Sequence, residues 1–253
     1  MKLNGKAVLV TGTSGGIGMA LAKECASRGA RLALCSRDLK AIPQVPNSRS
    51  YKLDVTKPSQ LKAVCKKAER DFGGIDILIN NAGAHLFAEV EKLPEAMLKK
   101  VLDTNLFGPL RMIQALLPAM KKRGSGLIVN IGSNLAWRSI PRGGGYSASK
   151  AALARLTESL RDELAGTGVK VLHAAPGVVL TRLRDRAAHV GAKPEGQSKL
   201  PFPREAGVTA KEIVDAIEAG KREVITAAWP VKFWAKVLVP WFPKLVDHQF
   251  IKP

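Results

Sequence analysis

Tyr146 and Lys150 stand four residues apart in the run Tyr146-Ser147-Ala148-Ser149-Lys150. On a helix that spacing places both side chains on one face. A free phenol titrates near 10, too high for ready proton exchange at neutral pH, and a neighbouring cation lowers it. Such a pair is fitted to hand a proton to the alkoxide that hydride addition makes of a carbonyl, and to take it back. Alone, the spacing is weak, because tyrosine and lysine meet four apart on many solvated helices. A second chemical feature lies near the start of the chain, Thr11-Gly12-Thr13-Ser14-Gly15-Gly16-Ile17-Gly18. Glycines there permit a tight turn and close approach of backbone amides, and a helix N-terminus directly behind them favours an anion such as a pyrophosphate. The histidines, His85, His173, His189 and His248, do not cluster, and no metal-ligand spacing is present. Each reads as an ordinary surface or core residue.

These side chains need elements to position them. Apolar runs at Ala7–Val10, Arg31–Ser36, Tyr51–Val55, Ile75–Asn80, Leu127–Ile131, Val169–Ala175 and Glu223–Thr226 read as strands. Helical patterns separate them at Gly16–Arg28, Pro58–Phe72, Pro94–Lys122, Tyr146–Ala165 and Lys211–Ala219. Only Asp38–Ser50, with Pro43 and Pro46, is too broken for a crossover helix. Continuous apolar strands alternating with helices predict an α/β protein, a single-domain doubly wound parallel sheet with helices on both faces.

The glycine spacing is Gly-x3-Gly-x-Gly, not the GxGxxG of the common dinucleotide fingerprint. It resembles the TGxxxGxG motif of the short-chain dehydrogenase/reductase family. Asn80-Asn81-Ala82-Gly83 is similar to that family's NNAG, and Tyr146 to Lys150 to its YxxxK. Ser133 lies 13 residues before Tyr146, the family's usual interval, and Asn105 lies where the family has its catalytic asparagine. Pro176-Gly177 with Thr181 resembles the PGxxxT that closes over the nicotinamide. The motifs run in family order across residues 5–181.

The resemblance implies a Rossmann-like fold, an oxidoreductase acting on a small-molecule carbonyl or alcohol, and roles for named residues. Tyr146 would be the general acid in reduction and the base in oxidation, and Lys150 would lower its pKa and bind the nicotinamide ribose. Ser133 would polarise the substrate oxygen, and Asn105 would hold a water behind Lys150. Gly12, Thr13, Ser14, Gly16, Ile17 and Gly18 would cradle phosphates. Asp54 would bond the adenine amino group, Pro176, Gly177 and Thr181 would close over the nicotinamide, and Val55, Asn81, Ala82, Gly83 and Val179 would also contact the cofactor. After the second strand comes Ser36-Arg37-Asp38. An acidic residue about 20 positions past the glycines selects NAD(H), whereas an arginine accommodates a 2′-phosphate. Arg37 therefore points to NADP(H) over NAD(H), with Asp38 tempering the preference.

Residues 182–208 correspond to the family's variable substrate loop. Arg182, Arg184 and Arg186 there read either as a solvated helix start or as recognition of an anion, the first being favoured. Leu135, Trp137 and Val178 are candidate walls of a mainly apolar substrate pocket, Trp137 being equally readable as core. Residues 1–228 would form the catalytic domain and 229–253 an appendage. That tail holds six of the 13 aromatics, including Trp234, Trp241 and Phe242, beside Lys232, Lys236 and Lys244. It reads equally as an interfacial helix broken by Pro240 and Pro243, giving peripheral membrane contact, and as a segment packing on its own or a neighbouring subunit.

Composition narrows the rest. The 253 residues carry a net charge of +19, but it is spread along the chain, without the basic stripe that tracks nucleic acid. Three cysteines without a CxxC suggest neither disulfide framework nor zinc site and suit a cytoplasmic protein. The uncharged run Ala7–Ala22 is shorter than the roughly 20 residues of a membrane span, and reading it as a signal peptide would sacrifice the glycine motif. The family usually forms homodimers or homotetramers, through helices here read as Pro94–Lys122 and Tyr146–Ala165. The competing reading is a sensor or scaffold that binds NADP(H) without turnover, which would need the glycine loop and Arg37 but none of the Asn105, Ser133, Tyr146 and Lys150 set. An epimerase or dehydratase of the extended relatives would need a longer chain.

Overall fold

The computed structural model describes residues 1–183, 185–191 and 202–228. Arg184, the middle of the substrate loop and the aromatic tail 229–253 lie outside the described residues. Along the chain run β1 (Ala7–Thr11), α1 (Gly16–Ser27), β2 (Arg31–Ser36), β3 (Ser48–Lys52), α2 (Pro58–Phe72), β4 (Ile77–Asn80) and β5 (Leu86–Phe87). There follow α3 (Glu95–Leu102), α4 (Gly108–Lys122), β6 (Gly126–Ile131), α5 (Gly144–Glu163), β7 (Val169–Pro176), β8 (Ala188–His189), α6 (Ala206–Glu218) and β9 (Glu223–Thr226). Seven strands form one parallel sheet in the order β3-β2-β1-β4-β6-β7-β9, and β5 pairs with β8 in a separate two-stranded ribbon.

β1 shows why the sheet is covered on both sides. Val8 and Val10 enter one core with Leu21, Cys25, Ile213 and Ile217, beneath α1 and α6. Ala7 and Leu9, which alternate with them in sequence, enter the other with Leu61, Met112, Leu116 and Leu160, beneath α2, α4 and α5. Alternating side chains thus face two helical layers, and no residue of β1 is exposed. The chain winds outward from β1 in one direction and, after β4, in the other. The switch point between β1 and β4 opens a crevice at the carboxyl ends of the strands, where this architecture binds ligands.

Several elements differ from the sequence reading: α6 begins at Ala206, five residues before the expected Lys211, and the β5–β8 ribbon was not expected. The third strand is Ser48–Lys52, three residues earlier than the expected Tyr51–Val55. As an edge strand it exposes most of its residues, so only Tyr51 among them is buried, while Leu53 and Val55 fill the core from the loop that follows. The expected single helix Pro94–Lys122 is divided by a π-helical turn over Asp103–Phe107, closed by the Gly108 amide on the Asp103 carbonyl five residues back. Pro109 follows it and has no amide to return to the carbonyl of Asn105, four residues earlier. Gly108 lets this widened turn press on Val55, since a Cβ there would stand 3.0 Å from Val55 Cγ2.

A buried polar chain ties α5 to the middle of the sheet. Asn80 Nδ2 donates to Asn130 Oδ1 at 2.9 Å, and Asn130 Nδ2 donates to Thr157 Oγ1 at 2.9 Å. Thr157 Oγ1 in turn donates to the Leu153 carbonyl at 2.6 Å. Asn130→Ala strands the Asn80 amide away from water and removes the bond to Thr157, and should cost about 2–4 kcal/mol in urea unfolding. A loss below about 0.5 kcal/mol, the range of ordinary surface changes, would contradict this account of how α5 is held.

Candidate active site

The crevice is a cavity of about 2090 Å³ running from the glycine turn to the substrate loop. Pockets for one small ligand measure roughly 300–1000 Å³, so this one has room for two molecules end to end.

At one end the glycine turn follows β1. Its inner side is packed to contact. Gly12, at φ 74°, lies so close to Ala82 that a Cβ would come within 2.8 Å of its Cα, and a Cβ on Gly18 would run into the Gly12 carbonyl and the Asn81 amide. Asn81 Nδ2 holds the turn shut by donating to the carbonyls of Thr11 (2.9 Å) and Gly12 (3.1 Å). The outer side is open: a Cβ on Gly15 would meet nothing within 4 Å. No side chain caps the N-terminus of α1 and no acidic residue occupies its first turn. Backbone donors and the positive end of a twelve-residue helix thus face the cavity unshielded, which suits a pyrophosphate. Ser14, Gly16, Ile17 and Gly18 line the cavity. Thr13 does not: it is fully buried, its hydroxyl donating to the Cys35 carbonyl at 3.2 Å, so its side chain braces the turn instead.

Arg37 lines the same end and Asp38 does not. The Asp38 carboxylate folds back to accept the Lys40 amide at 2.9 Å. Asp54 and Val55 also line this end, beyond the end of β3. Burial works to raise the Asp54 carboxyl, but it sits below the usual carboxylate range, because the Thr56 amide (3.0 Å) and hydroxyl (2.8 Å) donate to it and Arg37 and Lys57 lie nearby. Asn81, Ala82, Gly83, Pro176, Gly177, Val179 and Thr181 line the middle.

The other end gathers Ser133, Tyr146 and Lys150. Ser133 follows β6 by two residues and Tyr146 lies in the first turn of α5, with Lys150 one turn on. All three are buried, at 7%, 6% and 4% exposure. Lys150 Nζ donates to the Ile131 carbonyl at 2.8 Å. Burial pulls this ammonium down to about 8 and pushes the Tyr146 phenol up to about 12, drawn back only in part by a hydrogen bond with Ser133. The lowering of the phenol by Lys150 expected from the sequence is therefore not what prevails. The ammonium lies 5.9 Å from the phenol centroid, and burial weighs against charge on both groups.

Asn105 stands behind this cluster, fully buried in the π-helical turn and not on the cavity wall. Its Oδ1 accepts the Ala84 amide at 2.8 Å, and its Nδ2 donates to the Ala84 carbonyl and to Ser149 Oγ, both at 2.9 Å. Ser149 Oγ donates to the Tyr146 carbonyl at 2.7 Å. The asparagine thus fastens the strand after Gly83 to the helix that carries the tyrosine. Leu135, Trp137 and Val178 line the same cavity as Ser133 and Tyr146, together with Arg182 and Arg186 of the described part of the loop. Trp137 proves to be wall and packing at once, its ring meeting His173 edge-on at 6.1 Å and lying against Ala175, Ile225 and Ala227. One residue the sequence reading passed over also comes here. His85 lines the cavity with its ring flat against that of Tyr146. The signal was its place two residues after Gly83, at the start of an alternating run. No group of three or more metal-ligating side chains is present among the described residues, and none of their helices is long and apolar enough to cross a membrane.

The family model described as short chain dehydrogenase matches residues 6–190. The ketoacyl reductase HetN of Nostoc is 33% identical over 242 residues, covering 90% of this chain and 81% of its own. 11-beta-hydroxysteroid dehydrogenase 1A of Arabidopsis thaliana is 35% identical over 262 residues, covering 94% and 73%. A crystal structure of a short chain dehydrogenase from Burkholderia cenocepacia in complex with NADP superposes with a TM-score of 0.85 at 28% identity, covering all of both chains.

Burying Lys150 has a consequence for stability that its ordinary pKa of 10.5 makes measurable. Between about 8 and 10.5 the unfolded chain holds a proton that the folded chain has shed, so stability from this group rises with pH across that window. Below pH 8 the buried charge costs its full amount. Lys150→Met should therefore stabilise the nucleotide-free protein at pH 7 by on the order of 2 kcal/mol, after allowing for the hydrogen bond lost at Ile131. In denaturant unfolding the gap should narrow between pH 8 and 10; a gap independent of pH would contradict the burial of a charge at this position.

Proposed function

The chain belongs to the short-chain dehydrogenase family, and on that premise we propose that it is an NADP(H)-dependent oxidoreductase that interconverts a mainly apolar carbonyl compound and its alcohol. The observation that carries the reading is one cavity with an uncapped helix N-terminus and Arg37 at one end and Tyr146, Ser133 and Lys150 at the other. NADP(H) would lie between, its pyrophosphate at the glycine turn and its 2′-phosphate at Arg37. Bound there, its nicotinamide would supply the hydride. The preference over NAD(H) is supported by the side chains themselves: Arg37 faces the cavity, while Asp38 is occupied with its own turn.

The chain's own residues then account for the proton. Ser133 donates to the carbonyl oxygen and holds charge as it develops there. Tyr146, held in the same buried cluster as Ser133, delivers a proton to that oxygen in reduction and takes it back in oxidation. Lys150 holds the ribose and places a titratable ammonium, at about 8, within the same buried cluster. Asn105, whose carbonyl Pro109 leaves without its usual helical donor, is the seat of a water through which Lys150 recovers its proton. Leu135, Trp137 and Val178 exclude solvent from the reacting carbonyl. HetN and the Arabidopsis enzyme, named for a ketoacyl and a steroid substrate, fit the same apolar choice.

Tyr146→Phe removes the proton donor and keeps the shape. NADPH oxidation against a panel of lipophilic aldehydes and ketones should fall by about 10²- to 10⁴-fold, with NADPH affinity unchanged. Tight NADPH binding without turnover in the wild-type protein would instead support a binding role. Arg37→Ala should weaken NADPH binding by about 10- to 100-fold and leave NADH binding nearly as it was. Equal losses for both nucleotides, measured by fluorescence titration, would contradict the assignment of Arg37.

A further inference from the structure

His85 forms the middle of a three-ring stack. In the extended run Ala84-His85-Leu86-Phe87, the first and third of the last three residues project to one side. Phe87 is 2% exposed, and its ring centroid lies 4.3 Å from that of His85 with 15° between the planes. On the opposite face of the imidazole lies the Tyr146 phenol, centroids 3.8 Å apart and planes within 8°. A buried phenylalanine is thus the floor, the imidazole the spacer and the proton-donating ring the top layer.

The backbone that presents the stack is held from two directions. The His85 carbonyl accepts the Ala188 amide at 3.1 Å and the Phe87 carbonyl accepts the Val190 amide at 2.9 Å, which is the β5–β8 ribbon. From the segment before α5, the Arg142 guanidinium donates to the Val190 carbonyl at 2.9 Å, and the Arg142 carbonyl accepts the Ala88 amide at 2.9 Å. The strand bearing His85 is therefore fixed to the substrate loop on one side and to the approach of α5 on the other.

We propose that His85 is a positioning residue for Tyr146, acting through the flat face of its ring. The near-parallel planes turn π-face to π-face, so the ring N–H bonds run alongside the phenol and not into it. What the imidazole supplies is a wall that stops the phenol rotating away from Ser133. This rests on the reading of Tyr146 as the proton donor, and it extends that reading to a residue outside the glycine, serine and tyrosine–lysine motifs.

Two variants and one spectroscopic signature test it. His85→Phe keeps a planar ring, and His85→Leu fills a similar volume without one. The chain has two tyrosines, Tyr51 and Tyr146, so Tyr51→Phe assigns the ring signals of ¹³C-tyrosine protein. In the nucleotide-free wild type and in His85→Phe, the Tyr146 ring protons should be displaced upfield by the stacked ring; in His85→Leu the displacement should vanish. With a carbonyl substrate, kcat should fall about three- to tenfold in His85→Leu, with KM for NADPH unchanged, and return in His85→Phe. A kcat unaffected in His85→Leu overturns the proposal, and so does a His85→Phe variant as slow as His85→Leu, which would assign the effect to the ring nitrogens. Wild-type signals without the upfield displacement overturn the stack alone. Displaced signals in a wild-type protein that turns over no carbonyl overturn the reading of Tyr146, and this one with it.

Discussion

The hydrogen bond from Lys150 Nζ to the Ile131 carbonyl is where the two halves of the site join. Ile131 ends β6, and the chain reaches Ser133 two residues later. Lys150 lies on α5, one turn after Tyr146. A single contact of 2.8 Å therefore sets the distance between the strand end that carries the serine and the helix that carries the tyrosine. Its donor is an ammonium removed from water, and its acceptor is a neutral dipole. That imbalance is why burial brings the lysine down to about 8.

The supports of that contact are polar and buried. Asn80, Asn130 and Thr157 pin α5 to the sheet from below, while Asn105 and Ser149 pin it near its first turns. An apolar core fixes the helix against the sheet but resists sliding and rotation only through shape. Directional bonds with no water to replace them fix both. The same economy recurs at the glycine turn, where Thr13 and Asn81 spend their polar groups on shaping the turn and leave its outer amides to a ligand. Rigidity is concentrated where catalysis asks for placement within a fraction of an ångström.

Much of this was legible from the chain. Strands buried on both faces announce themselves as unbroken apolar runs, and the glycine turn and Tyr146 to Lys150 carry spacings whose physics is local. What escaped depends on neighbours. At the edge of the sheet, β3 has one covered side at most, so the apolar Leu53 and Val55 drew the expected strand toward themselves although they serve the core from a loop. The π-helical turn at Asn105 keeps a near-helical apolar period, and only Gly108-Pro109 hints at it. The pKa balance of Tyr146 and Lys150 depends on how deeply both are enclosed, which no spacing reveals. His85 belongs to no motif the sequence displays, and its place beside Tyr146 arises because β5 passes the mouth of α5.

On the proposed reading, a hydride passes in this cavity from nucleotide to carbonyl carbon while the chain supplies the proton to oxygen. The direct measurement is mass spectrometry of the alcohol formed from a lipophilic ketone with NADPH doubly deuterated at C4. Direct transfer places one deuterium on the carbinol carbon in ordinary water, and none on that carbon when unlabelled NADPH is used in D2O. Label on the carbinol carbon drawn from solvent, or no alcohol from any carbonyl tested, would contradict it.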